Sequence, residues 1–339
     1  MTTLSVRALN RALLDRQFLL ARTDHTPLEV IGRLVALLQD RKVVRSGLLR
    51  STQHLAAADD FRRLRPLLQP VLDRTARSAY FARNSAGLDT ASLVSTGLEL
   101  LAGGTTPRKE LARRLAERHP GRDGRVLAGE VELRVPLVHS PATGAWGSWG
   151  TRSAVSVTPA ETWLGRPMAP VAAKDLIRRY LAAFGPAGTM DVQAWSGLTR
   201  LGEIVSGMRA ELRHYRGPDG RELIDLADAE LPDPDTPAPV RLLPAFDNVL
   251  LGHADRTRVI SHEDRERVMP GHAQVRPTFL VDGHVHGSWS LQGGTLRLAP
   301  FRPLSAIDRA ALEQEAERLL PFVGGENVSC GGPIAIRSS

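Results

Sequence analysis

Six residues in the last third of the chain carry the side chains that chemistry most often uses. They are Asp247, His253, Asp255 and Arg256, followed by His284 and His286. A carboxylate near a histidine is the pairing that general acid–base catalysis employs. The spacing suits neither a nucleophilic triad nor a metal site without further partners. The same four residues also read as an Asp–Arg pair with capping contacts that fix a junction. His284 and His286 lie two apart and so share one face of a strand. No third ligand stands at a spacing a metal would need, so no metal site is expected. A hairpin facing a nucleic acid is the better functional use of the two histidines.

A second group is cationic. Arg50, Ser51, Thr52 and His54 form a polar cluster in Leu49–Leu55. They could hold phosphates, or they could be the small polar residues a tight turn requires, with His54 hydrogen-bonded inside. Arg108, Lys109, Arg113, Arg114, Arg118, Arg122 and Arg125 crowd one helix and the turn after it. Their functional reading is sequence-independent phosphate contact. Their plain reading is a solvated helix face, with Glu110 four residues ahead of Arg114. Trp146 and Trp149 fit best as side chains packing a hairpin onto its helix.

The whole-chain figures frame these groups. The sequence has 339 residues, 44 Lys+Arg against 37 Asp+Glu, and a formal net charge of +7. All but three of the cations are arginines, which an arginine-rich coding bias would produce anyway. Their distribution says more. Residues 1–130 hold 22 basic and 13 acidic side chains, a net of +9, whereas residues 131–339 net −2. Charge concentrated in one part of a chain is the electrostatic footprint of a polyanionic partner. Hydrophobic content of 42% excludes global disorder. No apolar run reaches the ~18–20 residues of a membrane span, and the N-terminus lacks the apolar core of a secretory signal. The single cysteine, Cys330, excludes a disulfide framework and a Cys-based zinc site and fits a cytoplasmic location.

Periodicity supplies the elements that must position these residues. Leu4 to Leu19 reads as an amphipathic helix, and Thr26-Pro27 with Glu29 as the start of another. Val43–Val44 and the stretch from Gly47 to Leu55 read as strands around a turn, before a helix capped by Asp60. Asp89 then opens helix 91–101, Thr105-Thr106-Pro107 opens helix 108–118, and helix 125–133 follows. Strands at 137–139 and 145–147 close this run, and helix, turn, helix, helix, ribbon is the order of a winged helix. A similar order recurs from helix 175–184 through helices 190–195 and 198–212 to a hairpin around Gly217-Pro218-Asp219-Gly220. After the proline-rich linker at 231–239, strands at 240–243, 249–252, 256–260, 278–281, 284–291 and 295–298 suggest a small barrel. A helix at 306–320, capped by Ser305 and Asp308, ends the pattern. The expected fold is α+β: three tandem winged-helix modules at 1–88, 89–171 and 172–230, then a β-barrel with a C-terminal helix at 231–339.

Specific strings carry a family resemblance. They are Val43-Val44-Arg45, Leu49-Arg50-Ser51-Thr52 with His54-Leu55, Thr162-Trp163-Leu164-Gly165, Asp191 to Leu198, Leu243-Pro244-Ala245-Phe246-Asp247-Asn248, His253-Ala254-Asp255-Arg256 and Phe279-Leu280-Val281-Asp282-Gly283. With the layout, they resemble the AlkZ-like DNA glycosylase family over about residues 4–325. The resemblance implies a C-shaped protein whose winged helices and barrel line a basic channel for duplex DNA. It also implies excision of alkylated purines, some at interstrand crosslinks, with no metal or redox cofactor. Duplex DNA is the expected partner; no membrane association is expected from the apolar runs, and no protein partner is predicted.

Hydrolysis of an N-glycosidic bond passes through an oxocarbenium-like sugar, which a polar group must stabilise while positioning water. In the family that group lies in a Gln-apolar-Gln or Gln-apolar-Asp motif after the second helix. Here Leu34-Val35-Ala36-Leu37 runs directly into Leu38-Gln39-Asp40-Arg41. Against the family pattern roughly two dozen residues are missing at this point. Gln39 and Asp40 are adjacent rather than separated by an apolar residue, and match the end of the later helix better than the catalytic strand. They are the remaining catalytic candidates. The expected protein binds duplex DNA and has lost, or much reduced, base excision. An active enzyme with a non-standard catalytic residue and a non-enzymatic regulator or resistance protein are the alternatives.

Overall fold

The computed structural model describes residues 1–21, 41–140, 155–271, 274–292, 295–323 and 334–336. Gln39, Asp40, the Thr26-Pro27 helix start and the ribbon carrying Trp146 and Trp149 lie outside these residues. In chain order the elements begin with β1 (Thr2–Thr3), α1 (Val6–Arg16), β2 (Val43–Gly47), β3 (Gln53–Ala57), α2 (Ala58–Leu67), α3 (Gln69–Ala76) and α4 (Ala79–Asn84). Next come α5 (Thr90–Leu101), β4 (Thr106–Pro107), α6 (Arg108–Arg118), α7 (Gly124–Arg134), β5 (Leu137–Ser140), β6 (Ser156–Pro159) and α8 (Ala160–Leu164). The chain continues through α9 (Ala173–Phe184), α10 (Thr189–Ser196), α11 (Gly202–Gly207), β7 (Leu212–Arg216), β8 (Glu222–Leu226) and β9 (Arg241–Leu243). It closes with α12 (Asn248–Leu251), α13 (His262–Val268), β10 (Thr278–Val281), β11 (His284–Gln292), β12 (Thr295–Pro300), α14 (Ala306–Val323) and β13 (Ile334–Ile336).

These elements pack as two compact units, each discontinuous in sequence. Unit 1 comprises Met1–Leu28, Ile177–Trp195 and Arg200–Ser339, and unit 2 comprises Glu29–Leu176 and Ser196–Thr199. Unit 2 is built on one five-stranded sheet of order β3-β2-β5-β6-β4. The β2–β3 hairpin and the strands after α7 therefore share a sheet. Its core is the apolar stripe of α5, α6 and α7, with Leu93, Leu101, Leu111, Leu115, Leu127 and Val131 buried against Val157. Each fully buried side chain of this kind contributes about 1.5–3 kcal/mol. Asp89 and Asp123 cap α5 and α7 by accepting the backbone N–H of Ala91 and Arg125.

Unit 1 holds two sheets. In one, the hairpin β7–β8 pairs at its edge with β1, which runs parallel to β7. The second has the order β13-β12-β11-β10-β9, packed on α14 through Leu312, Ala316 and Leu320. It is an open sheet and not a barrel, which corrects the expected closure. Two segments read as barrel strands are not strands. Asp247 accepts the Val249 N–H at 2.8 Å and turns 248–251 into helix α12. Residues 256–260 turn under Asp255, which accepts the N–H and hydroxyl of Thr257.

Three further expectations change. The helix read across 198–212 shrinks to α11, because Arg200 is left-handed at its start and Leu212 already begins β7 at its end. Thr106–Pro107 is a short strand paired to β6 and gives no side-chain cap, while the helix read over 108–118 stands as α6. Asp60 lies in the first turn of α2 and does not cap it.

The basic N-terminal region also reads differently in three dimensions. Arg11 is wholly buried and Arg16 nearly so; they pair with Asp282 and Asp225 within unit 1. Arg7 bonds the Pro234 carbonyl and Asp282. Arg65 is buried in unit 2, where desolvation pulls its pKa down to about 10, and it donates to Gln69 and to the Leu133 carbonyl. These four cations stabilise the fold, so the net of +9 overstates the charge presented to a partner.

Candidate nucleic-acid interface

The candidate site is a cleft of about 520 Å³ within unit 2. Strand β2 supplies Arg45 and Gly47, the hairpin turn supplies Ser51, and β3 opens with Gln53. Helix α4 brings Tyr80 and Phe81, Arg108 stands at the start of α6, and α7 contributes Arg125 and Glu132. The floor is apolar, with Leu72, Val126 and Leu133 among its residues. Gly129 lets Phe81 lie against α7, since a Cβ there would stand 3.1 Å from the ring. Tyr80 and Phe81 meet edge to face at 5.2 Å.

The polar wall is held by internal bonds. Arg45 faces His139 across the β2–β5 pairing and donates from Nη1 to Nδ1 at 3.2 Å. That bond requires Nδ1 to be an acceptor. Burial lowers the Arg45 pKa, although an arginine stays protonated under any ordinary condition. Ser46 on the buried face of β2 donates to the Leu137 carbonyl. Arg108 forks onto Glu132, with Nε at 2.5 Å from Oε1. Arg125 is 83% exposed and pairs with Asp123 at 3.0 Å. Three guanidinium groups thus line the cleft, Arg108 paired with Glu132 and Arg125 with Asp123, and the cationic side chains outnumber the carboxylates they meet. Such a mouth over an aromatic edge can hold a sugar–phosphate backbone with a base face beside it.

The structure separates the cationic residues singled out in the sequence. Ser51, Arg108 and Arg125 join the cleft. Arg113 bridges Glu110 and Glu117 along its own helix, and these carboxylates raise its pKa. Arg122 donates to the carbonyls of Asn84 and Ala86, fastening the loop after α4. Lys109 is exposed on α6 and lines no described cleft. Thr52 and His54 knit the hairpin turn: Thr52 Oγ1 lies 3.0 Å from the Leu49 carbonyl and 2.8 Å from His54 Nε2. Burial pushes the His54 pKa down, and nearby Arg50 adds to this. Arg50 and Ser51 both have left-handed backbones, with φ of 50° and 61°. The Thr52 N–H closes on the Leu49 carbonyl, giving a type I′ turn made without glycine or asparagine.

The residues from the C-terminal strings lie in unit 1 and do structural work. His253 is 2% exposed, with Nε2 3.0 Å from the Phe184 carbonyl and its ring against Tyr180 and Phe184. Desolvation holds its pKa well below the ordinary value, with the positive charge of Arg258 next in effect. Asp255 pairs with Arg221 at 2.8 Å, and Arg256 donates to the Met269 sulfur. Asp247 is the α12 cap, and its burial pushes its pKa up. His284 stands at the β10–β11 turn, with Nδ1 3.3 Å from the Asp282 carbonyl. His286 stacks on Phe279. Among the described residues no group of three or more His, Cys, Asp or Glu could hold a metal ion. No described helix is long and apolar enough to cross a membrane.

Sequence reasoning passed over Arg45, Gln53, Tyr80, Glu132 and His139 as site residues. Arg45 and His139 are 94 positions apart, and only the shared sheet joins them. It also passed over Asp191, whose carboxylate accepts the N–H groups of Gly188 and Ala254 at 2.8 and 2.9 Å. The Asp191–Leu198 and His253–Arg256 strings are therefore two halves of one latch.

The fold is mixed α+β, with a cationic cleft on its five-stranded N-terminal sheet. The AlkZ-like DNA glycosylase family model matches residues 19–322, and the chain belongs to that family. It is 25% identical to an interstrand DNA cross-link repair glycosylase of Streptomyces sahachiroi, covering 89% of this chain and 92% of the relative. That alignment spans 356 positions, more than this chain has residues, so stretches of the relative have no counterpart here. The solved structure of Streptomyces sahachiroi DNA glycosylase AlkZ has the same fold, with a TM-score of 0.76 and 23% identity over 99% of this chain and all of that one.

Proposed function

We propose that this protein binds duplex DNA through the arginine-lined cleft of unit 2, with base excision lost or much reduced. The observation that carries the binding is that Arg45, Arg108 and Arg125 line one cleft, in a family of DNA glycosylases. Guanidinium groups take phosphate oxygens in pairs, and each neutralised phosphate releases counterions. Ser51 and Gln53 add neutral donors at the same mouth. Binding of this kind is sequence-tolerant and falls steeply with salt.

The reduced activity rests on the sequence between Leu34 and Arg41, which lacks the spaced Gln-apolar-Gln or Gln-apolar-Asp pair. Incubation with an alkylated duplex, followed by an assay for abasic sites, tests it. The proposal expects no release above the uncatalysed rate, and robust release overturns it. If release is seen, alanine at both Gln39 and Asp40 decides whether they are the source. The winged-helix reading of 1–88, 89–171 and 172–230 belongs to the same proposal. It is supported by the order α5-α6-α7 before β5–β6 and by α9-α10-α11 before the β7–β8 hairpin.

A further inference from the structure

Phe246 is an aromatic residue in the wrong conformation and the wrong surroundings for a structural role. Its φ is 63°, in the left-handed region that favours glycine or asparagine, and its side chain is 55% exposed. A left-handed backbone at such a residue costs about 5- to 30-fold in the ratio of folded to unfolded chain. An exposed ring recovers little of that by burial. Residues held in this way persist when the surroundings over-determine them, and they gather at functional sites.

The surroundings do over-determine this one. On its N-terminal side, Leu243 pairs with Thr278 in the sheet and its carbonyl accepts the Trp289 indole N–H at 2.8 Å. On its C-terminal side, Asp247 is the side-chain cap of α12. Between these anchors Pro244, Ala245 and Phe246 are all exposed. The tip is thus anchored on both sides, apolar and uncharged, one ring wide, and offers a phosphate no cationic side chain. A flat protein-docking surface needs a broad apolar patch. A single presented ring beside proline is the chemistry of a wedge that enters a base step and stacks on a base face.

We propose that Phe246 is such a wedge, stacking on a nucleobase of duplex DNA; this rests on the reading that the protein binds duplex DNA. The test uses the full chain and a duplex carrying one 2-aminopurine, whose fluorescence rises on unstacking. Wild type should bind and raise the signal. Phe246→Ala should bind at least fivefold more weakly without the rise, and Phe246→Trp should retain both. Phe246→Gly, which removes the strain, should raise the thermal midpoint by about 2–4 °C. Equal affinity and equal fluorescence for wild type and Phe246→Ala would overturn the wedge and leave duplex binding standing. A lower midpoint for Phe246→Gly would overturn it as well, by making the ring structural. Failure of wild type to bind any duplex would bring down both readings.

Discussion

Asp191→Ala separates a structural reading of the unit 1 polar residues from a catalytic one. The Asp191 carboxylate is 6% exposed and accepts short hydrogen bonds from the Gly188 and Ala254 N–H groups, with a longer one of 3.5 Å from Asp255. Alanine takes the charged acceptor away from two part-buried backbone donors. Each such loss costs about 1–3 kcal/mol, and bonds to a charged acceptor lie at the upper end. Arg258, also buried, loses the negative charge that favours its protonated form. The expected total is about 3–5 kcal/mol, a large share of the ~5–15 kcal/mol that holds a domain together. Urea unfolding followed by far-UV circular dichroism measures it, together with duplex affinity under strongly native conditions. The account predicts a clear fall in the urea midpoint and unchanged affinity in the folded protein. A loss below about 1 kcal/mol, or lost binding without lost stability, would refute the latch.

Other perturbations follow from the same geometry. Burial keeps His253 neutral in the folded chain, so only the unfolded chain takes up its proton as pH falls below about 6.5. Its stabilisation is complete above that pH and declines toward the lower folded pKa, by about 1.4 kcal/mol per pH unit. Urea midpoints measured across pH 7 to 5 check this, and His253→Gln should flatten the decline. Gly124→Ala would drive a Cβ into the Ala112 carbonyl where α6 and α7 pack, and should destabilise unit 2 by about 2–4 kcal/mol in thermal melts. Asp225→Asn breaks a buried two-pronged pair with Arg16 and should cost about 3–5 kcal/mol, whereas Arg16→Met with Asp225→Leu should lie near wild type.

Much of the architecture was legible because local signals agreed. Gly217-Pro218-Asp219-Gly220 predicted a hairpin and β7–β8 is one; Asp89 and Ser305 marked helix starts that the structure keeps. The barrel failed because short apolar runs do not distinguish a strand from a capped turn of helix. At Val249–Gly252 the deciding group was Asp247, outside the run. The family strings were legible as identity, yet their chemistry was not. Asp191 and Ala254 are 63 positions apart, and nothing in either string announces that one accepts from the other. The cleft stayed hidden for the same reason, since β2 and β5 join residues that the sequence places in different segments. Charge counting succeeded only in part, because an arginine such as Arg65 or Arg11 looks the same in sequence whether it meets phosphate or a buried carbonyl.

The central claim is that Arg45, Arg108 and Arg125 hold duplex DNA by its phosphates. The most direct measurement is the salt dependence of duplex affinity for wild type and for the triple alanine variant, over about 50–200 mM salt. The account predicts a linear fall of log affinity with log salt, and a slope shallower by about 2–3 in the variant. An unchanged slope in a variant that remains folded would contradict it.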